Sequence, residues 1–182
     1  VKEFRHATLR RRLQRRWKGD KAHLSWKAAR AALQAGIPTP EPVLSALNDH
    51  PHGPSYFVTR YAEGRVEARL LLREVRSGQF RQFTRGQAEG FVRAAAGLAR
   101  RMHDAGIFHR DFSMGNLLLR FNGDEPDIAL VDLNRARTGR PVGTLERMRD
   151  LSRLEIADAG LRRSFLEAYE GMLIAADSLR SL

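Results

Sequence analysis

The chain has 182 residues, which suits one domain or two small lobes, and its apolar content of 42% is typical of a globular protein rather than a disordered one. It contains no cysteine, which excludes disulfides and thiolate metal sites and agrees with a reducing compartment. No apolar run approaches the roughly 20 residues of a membrane-spanning helix, and the net charge of +11 favours anionic partners.

The basic excess is concentrated near the start, where we predict a helix over residues 4–18. Leu9, Leu13 and Trp17 recur every fourth residue and give this helix a narrow apolar stripe. A charge run is most often a solvated face. The apolar stripe motivates a second hypothesis, in which the helix makes peripheral contact with an anionic membrane.

The next part of the chain mixes helices and strands. A helix is expected over residues 21–35, because Asp20 can cap its first turn and Gly36 can end it. Aromatic and β-branched content indicates the strand "SYFVTRY". In chain order, the predicted elements are strands 43–47 and 55–61, a helix 66–76, and a helix from a capping-box pattern at Thr84 to residue 105.

A hairpin is predicted after that helix. Strand 117–120, the turn "NGDEPD" and strand 128–131 follow one another, and helices are expected over residues 145–154 and 161–173. This order of elements indicates an α+β fold.

Polar residues surround the predicted hairpin. Asn116 precedes its first strand and Asp132 follows its second strand. Because a hairpin brings its two outer ends together, we expect these residues to be neighbours, with Asp111 on the same rim. Two carboxylates and an amide oxygen suit a hard cation such as Mg²⁺.

The loop before the hairpin satisfies the pattern H-R-D-x-x-x-x-N at His109, Arg110, Asp111 and Asn116, which is the catalytic-loop pattern of protein kinases. The chain therefore resembles the protein-kinase-like superfamily, and is most similar to the bacterial lipopolysaccharide kinases, the Kdo and heptose kinase group. The resemblance covers nearly the whole chain. Its ordered segments are "WKAARAALQAGIPTPEPV", "YFVTRYAEG", "LARRMHDAGIFHRDFSMGNLLL", "LVDLNRAR" and "RMRDLSRL".

The resemblance implies a role for each site residue. Asp111 would be the catalytic base, and Asn116 and Asp132 would bind Mg²⁺. Lys2 would be the phosphate-binding lysine on the third strand of the small lobe. The adenine would lie against the gatekeeper and hinge, which are Thr59, Arg60, Tyr61 and Ala62.

The sequence departs from the kinase pattern in three places. The Gly-rich strands would lie upstream of Lys2, so we expect a preceding segment and a small lobe truncated here. Ser25 stands where a Glu partner for the lysine is expected, and Asp132-Leu133-Asn134 replaces D-F-G. The expected organisation is a two-lobe fold, with residues 1–61 as a partial small lobe and residues 62–182 as an incomplete large lobe.

Two further loop residues invite interpretation. His109 stands beside Asp111, but in kinase-like folds this histidine packs and hydrogen-bonds within the loop, so we expect a structural role. Ser113 could touch a phosphate group or merely shape the loop, and the sequence favours neither.

The implied function is transfer of a phosphoryl group from ATP, with Mg²⁺, to a hydroxyl of a lipopolysaccharide core sugar. The protein would be cytoplasmic or peripheral at the inner membrane, with a glycolipid as its substrate. One alternative is a kinase acting on protein or another small molecule. Another is a pseudokinase binding module, which the missing Glu favours. No nucleic-acid partner is expected, because this reading would rest on charge alone, with no patch of interleaved aromatic and basic residues to support base stacking.

Overall fold

The computed structural model describes residues 1–5, 20–47 and 53–180, with side chains described up to residue 171. Nearly all of the predicted basic helix at 4–18 lies outside these residues. The described part combines helices with two small sheets, which confirms the α+β prediction.

The first sheet has three antiparallel strands, β1 (Lys2–Phe4), β2 (Pro42–Ala46) and β3 (Ser55–Thr59), in the order β1-β3-β2. The prediction that a helix begins at Phe4 is wrong, because Phe4 ends strand β1, pairs with Ser55 and is buried. The same pairing sets Lys2 opposite Phe57 on an edge strand.

Helix α1 (Lys21–Gln34) packs against this sheet. As predicted, Asp20 caps it, because its carboxylate accepts a hydrogen bond from the backbone N–H of Ala22 at 2.8 Å. The buried face of α1 consists of small residues, which let the helix approach its neighbours closely; they are Ala22, Ser25, Ala28, Ala29 and Ala32.

The second sheet has the order β4-β5-β6, with β4 at Val66–Glu67, β5 at Leu117–Asn122 and β6 at Glu125–Leu130. The predicted helix from residue 66 therefore begins later. Val66 and Glu67 pair with β5, and α2 spans Ala68–Ser77. Strands β5 and β6 form the predicted hairpin, longer than expected, with a two-residue turn at Gly123 and Asp124.

Helix α3 (Arg85–Asp104) begins with the predicted capping box. The Gln87 N–H donates to the Thr84 hydroxyl at 3.1 Å, and the Thr84 N–H donates to the Gln87 side chain at 3.0 Å. Gly106 then makes a turn with φ +74°, and a Cβ at this position would lie 2.9 Å from the Arg140 carbonyl oxygen. The turn therefore requires glycine.

Two more helices complete the described chain, α4 (Thr144–Leu151) and α5 (Ala159–Arg180), and α5 packs along α3. One apolar core joins these parts, running from Ala28 and Ala32 of α1 through Phe91 of α3 to Leu130 of β6. The backbone N–H of Leu130 also donates to the Pro38 carbonyl at 2.7 Å. Within the described residues, no helix is long and apolar enough to span a membrane.

Candidate active site

The β5–β6 hairpin brings Asn116 and Asp132 to one end of the second sheet. Leu117 pairs with Leu130, and just beyond that pair the Val131 N–H donates to the Asn116 carbonyl at 2.9 Å. The Asn116 side-chain nitrogen donates to the Asp111 carbonyl at 2.7 Å, which ties the loop to the hairpin. Because that nitrogen is engaged, the side-chain oxygen of Asn116 is the group left to meet a ligand.

A cavity of about 390 Å³ opens at this end of the hairpin, between the first sheet, α1 and the turn after β6. It is lined by four of the residues to which the resemblance assigns a role in the site, and by two further polar residues. These residues are Lys2, Ser25, Thr59, Asn116, Asp132 and Asn134.

Lys2 and Asp132 form an ion pair inside this cavity, and the Asn134 side chain donates to the same carboxylate oxygen. Ser25 is buried in the cavity wall, and its hydroxyl donates to the Lys21 carbonyl at 2.7 Å. Helix α1 therefore offers no carboxylate to Lys2 at this position, and Asp132 is the group that pairs with the lysine.

The predicted hinge is only partly at the cavity. Thr59 lines it, whereas its lining in the described part of the chain does not include Arg60, Tyr61 or Ala62. The Arg60 N–H donates to the Glu41 carbonyl at 2.9 Å, and its guanidinium forms an ion pair with the Glu41 carboxylate. The Tyr61 side chain points outward and is 89% exposed.

His109 is buried within the loop. Its Nε2 lies 3.0 Å from the Val131 carbonyl, and its Nδ1 accepts a hydrogen bond from the Asp111 N–H at 3.2 Å. Burial lowers the pKa of His109, so the ring is neutral and carries its proton on Nε2. Both ring nitrogens are engaged with the backbone, which agrees with the structural role expected for this residue.

Asp150 of α4 holds the backbone of the same loop, a role that the sequence analysis missed. Its carboxylate is fully buried and accepts hydrogen bonds from the N–H groups of His109 and Arg110, both at 2.8 Å. Arg110 adopts a left-handed conformation with φ 68°, which is uncommon outside glycine. The two hydrogen bonds fix this strained bend immediately before Asp111.

Two arginines flank the Asp111 carboxylate. Arg153 Nη1 lies 3.4 Å from one oxygen, and Arg135 Nη1 lies 3.6 Å from the other. All three side chains are partly exposed, so these contacts add little stability. They do place positive charge beside the carboxylate. Arg135 and Arg153 belong to the quoted segments "LVDLNRAR" and "RMRDLSRL", but the sequence assigned neither residue a contact with Asp111.

The donors at the hairpin end fit a magnesium ion. Asn116 and Asp132 supply an amide oxygen and a carboxylate, both facing the cavity. No three His, Asp or Glu side chains converge as a metal site in the described ranges. Mg²⁺ commonly uses one or two protein carboxylates and takes its other ligands from water and phosphate, so the small donor set is compatible with it.

The fold and the site define an α+β protein with a polar cleft whose amide and carboxylate oxygens are compatible with a cation. The sequence profile of the lipopolysaccharide kinase (Kdo/WaaP) family matches residues 2–169, and the chain belongs to this family. The family resemblance drawn from the sequence is thereby confirmed.

A solved structure of WaaP in complex with acyl carrier protein is similar to the chain, with a TM-score of 0.68 and 25% sequence identity. The similarity covers 81% of this chain and 65% of the WaaP chain, so the chain spans about two thirds of the length of that protein. No curated protein sequence matches the chain.

Proposed function

We propose that the protein is an ATP-dependent kinase that transfers a phosphoryl group to a hydroxyl of a lipopolysaccharide core sugar. Family membership supports the reaction class and the lipopolysaccharide acceptor. The observation that carries the proposal is the meeting of Lys2, Asn116 and Asp132 at one cavity, with Asp111 tied to Asn116.

The proposal includes a kinase-like division of the chain. Residues 1–61 form the partial small lobe, built from the first sheet and α1, and residues 62–182 form the large lobe. The cavity lies where α1, the first sheet and the hairpin end meet, which is where a nucleotide between two lobes would bind. Thr59 lines the cavity as the gatekeeper, and Arg60, Tyr61 and Ala62 form the connecting segment.

Each polar group has a defined task in this mechanism. Asp111 orients the acceptor hydroxyl and accepts its proton, and Lys2 holds the phosphate groups of ATP. Asn116 and Asp132 would hold Mg²⁺, which neutralises charge on the phosphates when it is bound. His109 and Asp150 keep the loop in the geometry that these tasks require.

We place the reaction on the cytoplasmic side of the inner membrane, where ATP and a nascent glycolipid meet. The net charge of +11 supports contact with an anionic lipid surface, although the basic segment proposed for it lies outside the described residues. Sedimentation with vesicles tests this contact. Binding to anionic but not to neutral vesicles is expected, and equal binding to both would rule out the electrostatic form.

The central experiment uses the full-length protein with labelled ATP, Mg²⁺ and three acceptors: a lipopolysaccharide core oligosaccharide, a generic protein substrate and a small alcohol. Label is expected on the oligosaccharide alone. A thermal-shift measurement with Mg-ATP is run in parallel, because a ligand that binds the folded state raises the melting temperature.

The two readouts separate the alternatives. Label on the protein or the alcohol would redirect the proposal to another acceptor class. A thermal shift without transfer to any acceptor would identify a nucleotide-binding pseudokinase. If Mg-ATP causes no thermal shift and no acceptor is labelled, the proposed function is rejected.

A further inference from the structure

A second concave surface lies on the other side of the catalytic loop. It encloses about 440 Å³ and shares Gly115 with the first cavity, so the Ser113–Gly115 segment separates the two. Four arginines line it, and we call it the arginine groove: Arg69, Arg73, Arg76 and Arg153.

Three of these arginines come from one face of helix α2. Arg69, Arg73 and Arg76 are spaced by four and three residues, which places them on the same side of a helix. All three are exposed, while Leu71 on the other face is buried in the core. The helix packs against the Met114–Asn116 turn, so its arginine face lies beside the catalytic loop.

The charges of the groove are not balanced internally. Arg69 pairs with Glu67 and Arg153 contacts Asp111. Arg73 and Arg76 have no ion-pair partner among the residues that the structure describes. Two convergent guanidinium groups without counterions are suited to bind an anion.

The acidic residues of the groove do not cancel this excess. Asp158 is engaged by Arg85 through contacts of 2.8 and 3.1 Å, and these hydrogen bonds lower its pKa to about 2. Asp158 and Glu155 are the acidic residues in the lining within the described chain. Because Asp158 is already paired with Arg85, Glu155 is the one lining carboxylate left in the described chain to offset Arg73 and Arg76, whereas Arg69 and Arg153 contact Glu67 and Asp111.

We propose that the arginine groove binds an anionic group of the acceptor, a phosphate or a carboxylate carried by the sugar chain, and thereby selects charged acceptors. This inference rests on the proposed function, in which the acceptor is the sugar that receives the phosphoryl group. The guanidinium groups of Arg73 and Arg76 bind the anion. Arg153 lines the groove and also contacts Asp111, so a sugar held there has a hydroxyl within reach of the catalytic loop.

Arginine is the appropriate residue for this task. Its planar guanidinium donates two parallel hydrogen bonds to a phosphate or a carboxylate, whereas lysine offers a point charge. The position across Gly115 from the nucleotide cavity keeps the anion of the acceptor apart from the phosphates of ATP. The two anionic substrates thus have separate cationic partners, Lys2 on one side and the arginine groove on the other.

Calorimetric titration without nucleotide tests the groove, so that its outcome does not depend on phosphoryl transfer. The probe is a lipopolysaccharide core oligosaccharide in three forms: untreated, phosphatase-treated and carboxyl-reduced. We expect the full-length protein to bind the untreated form about tenfold or more tightly than the form lacking the recognised anion. The treated form that loses affinity identifies phosphate or carboxylate as the source.

The double variant Arg73→Ala, Arg76→Ala is expected to bind all three forms equally weakly. Lysine at both positions should restore part of the preference, because charge returns without the bidentate geometry. The matched control removes two exposed arginines outside both cavities, Arg93 and Arg163, and should keep the full preference.

Three results would overturn the inference. They are equal affinity of the wild-type protein for the three forms, full preference retained by the Arg73, Arg76 alanine variant, and a loss of preference in the control as large as in the test variant. A thermal shift with Mg-ATP, measured on the same samples, reports on the proposed function separately. A protein that binds Mg-ATP but shows no preference among oligosaccharides would reject the groove alone.

Discussion

Lys2 and Asp132 are 130 positions apart in the chain and form an ion pair across the candidate nucleotide cavity. The pair joins the edge strand of the first sheet to the end of the β5–β6 hairpin. Asp132 also accepts a hydrogen bond from Asn134, on the same carboxylate oxygen that contacts Lys2. In the proposed mechanism the lysine and the metal ligand face the same phosphates.

Replacing Lys2 is therefore expected to weaken nucleotide binding. Lys2→Met removes the cation at the cavity and should lower the affinity for Mg-ATP about tenfold or more, as expected for the loss of a charge-assisted contact. Calorimetry with Mg-ATP measures it. Lys27→Met, an exposed position on α1, is the control and should leave the affinity unchanged. Equal affinities in all three proteins would remove Lys2 from the site.

Replacing Asp111 tests the base. Asp111→Asn keeps the size and the backbone contacts of the residue but cannot accept the proton, so the turnover number is expected to fall by a factor of about 10² to 10⁴. The thermal shift with Mg-ATP should persist, because Asp111 does not line the nucleotide cavity. Full turnover in this variant would end the assignment of Asp111 as the base.

Replacing Asp150 tests what orients the loop. Asp150→Ala leaves the buried N–H group of His109 and the part-buried N–H group of Arg110 without their acceptor, and we expect the free energy of unfolding to fall by about 2 to 4 kcal/mol. Urea denaturation measures the loss. Asp124→Ala, in the exposed hairpin turn, is the control and should change stability by less than about 0.5 kcal/mol. Comparable losses in both variants would contradict the orienting role.

The free energy of unfolding is expected to depend on pH through the titration of His109. Its pKa is lowered by burial, so the unfolded chain binds a proton at a higher pH than the folded protein does. Above the ordinary histidine pKa of about 6.5, the His109 ring is neutral in both the folded and the unfolded chain, so its protonation does not reduce the free energy of unfolding. As the pH falls below that value, stability is expected to decrease by up to about 1.4 kcal/mol per pH unit.

Denaturant titrations at pH 7.5 and pH 5.5 check this expectation. His109→Gln, which has no titratable ring, should show a shallower decline over the same interval. An identical decline in the two proteins would assign the pH dependence to other groups.

The turn at Gly106 offers a test of the backbone geometry that leads into the loop. Gly106→Ala introduces a left-handed alanine and a Cβ 2.9 Å from the Arg140 carbonyl oxygen, so a loss of at least about 1 to 2 kcal/mol in unfolding free energy is expected. Gly86→Ala is the matched control. It lies in the first turn of α3, where the nearest atom to its Cβ would be 3.9 Å away, and it should be neutral or slightly stabilising. Tolerance of alanine at Gly106 would show that the turn can relax.

The sequence predicted most of the elements because local signals were strong. The cap at Asp20 and the capping box at Thr84 place their helices within a residue or two of the observed bounds. Strand β4 was missed because two residues carry too little pattern. Val66 and Glu67 become a strand through pairing with β5, a partner about 50 positions away.

The candidate site was predictable where residues are close in the chain or joined by a hairpin. Asn116 and Asp132 could be placed together because the turn between them is visible in the sequence. Asp150 could not, since it lies on a polar helix and its role depends on tertiary packing that sets its carboxylate beneath the loop. The arginine groove likewise could not be predicted from the sequence, because α2 and Arg153 are distant in the chain and only the fold brings them together.

The hydrogen bond from the Leu130 N–H to the Pro38 carbonyl, together with the core shared by α1 and the hairpin, has a thermodynamic consequence. Removing residues 1–61 would uncover Leu130 and the other apolar residues that α1 covers. Residues 1–61 and the rest of the chain are therefore expected to unfold in one cooperative transition, with no separately folded C-terminal part at intermediate denaturant. A nucleotide that binds between them would then stabilise the whole described chain at once.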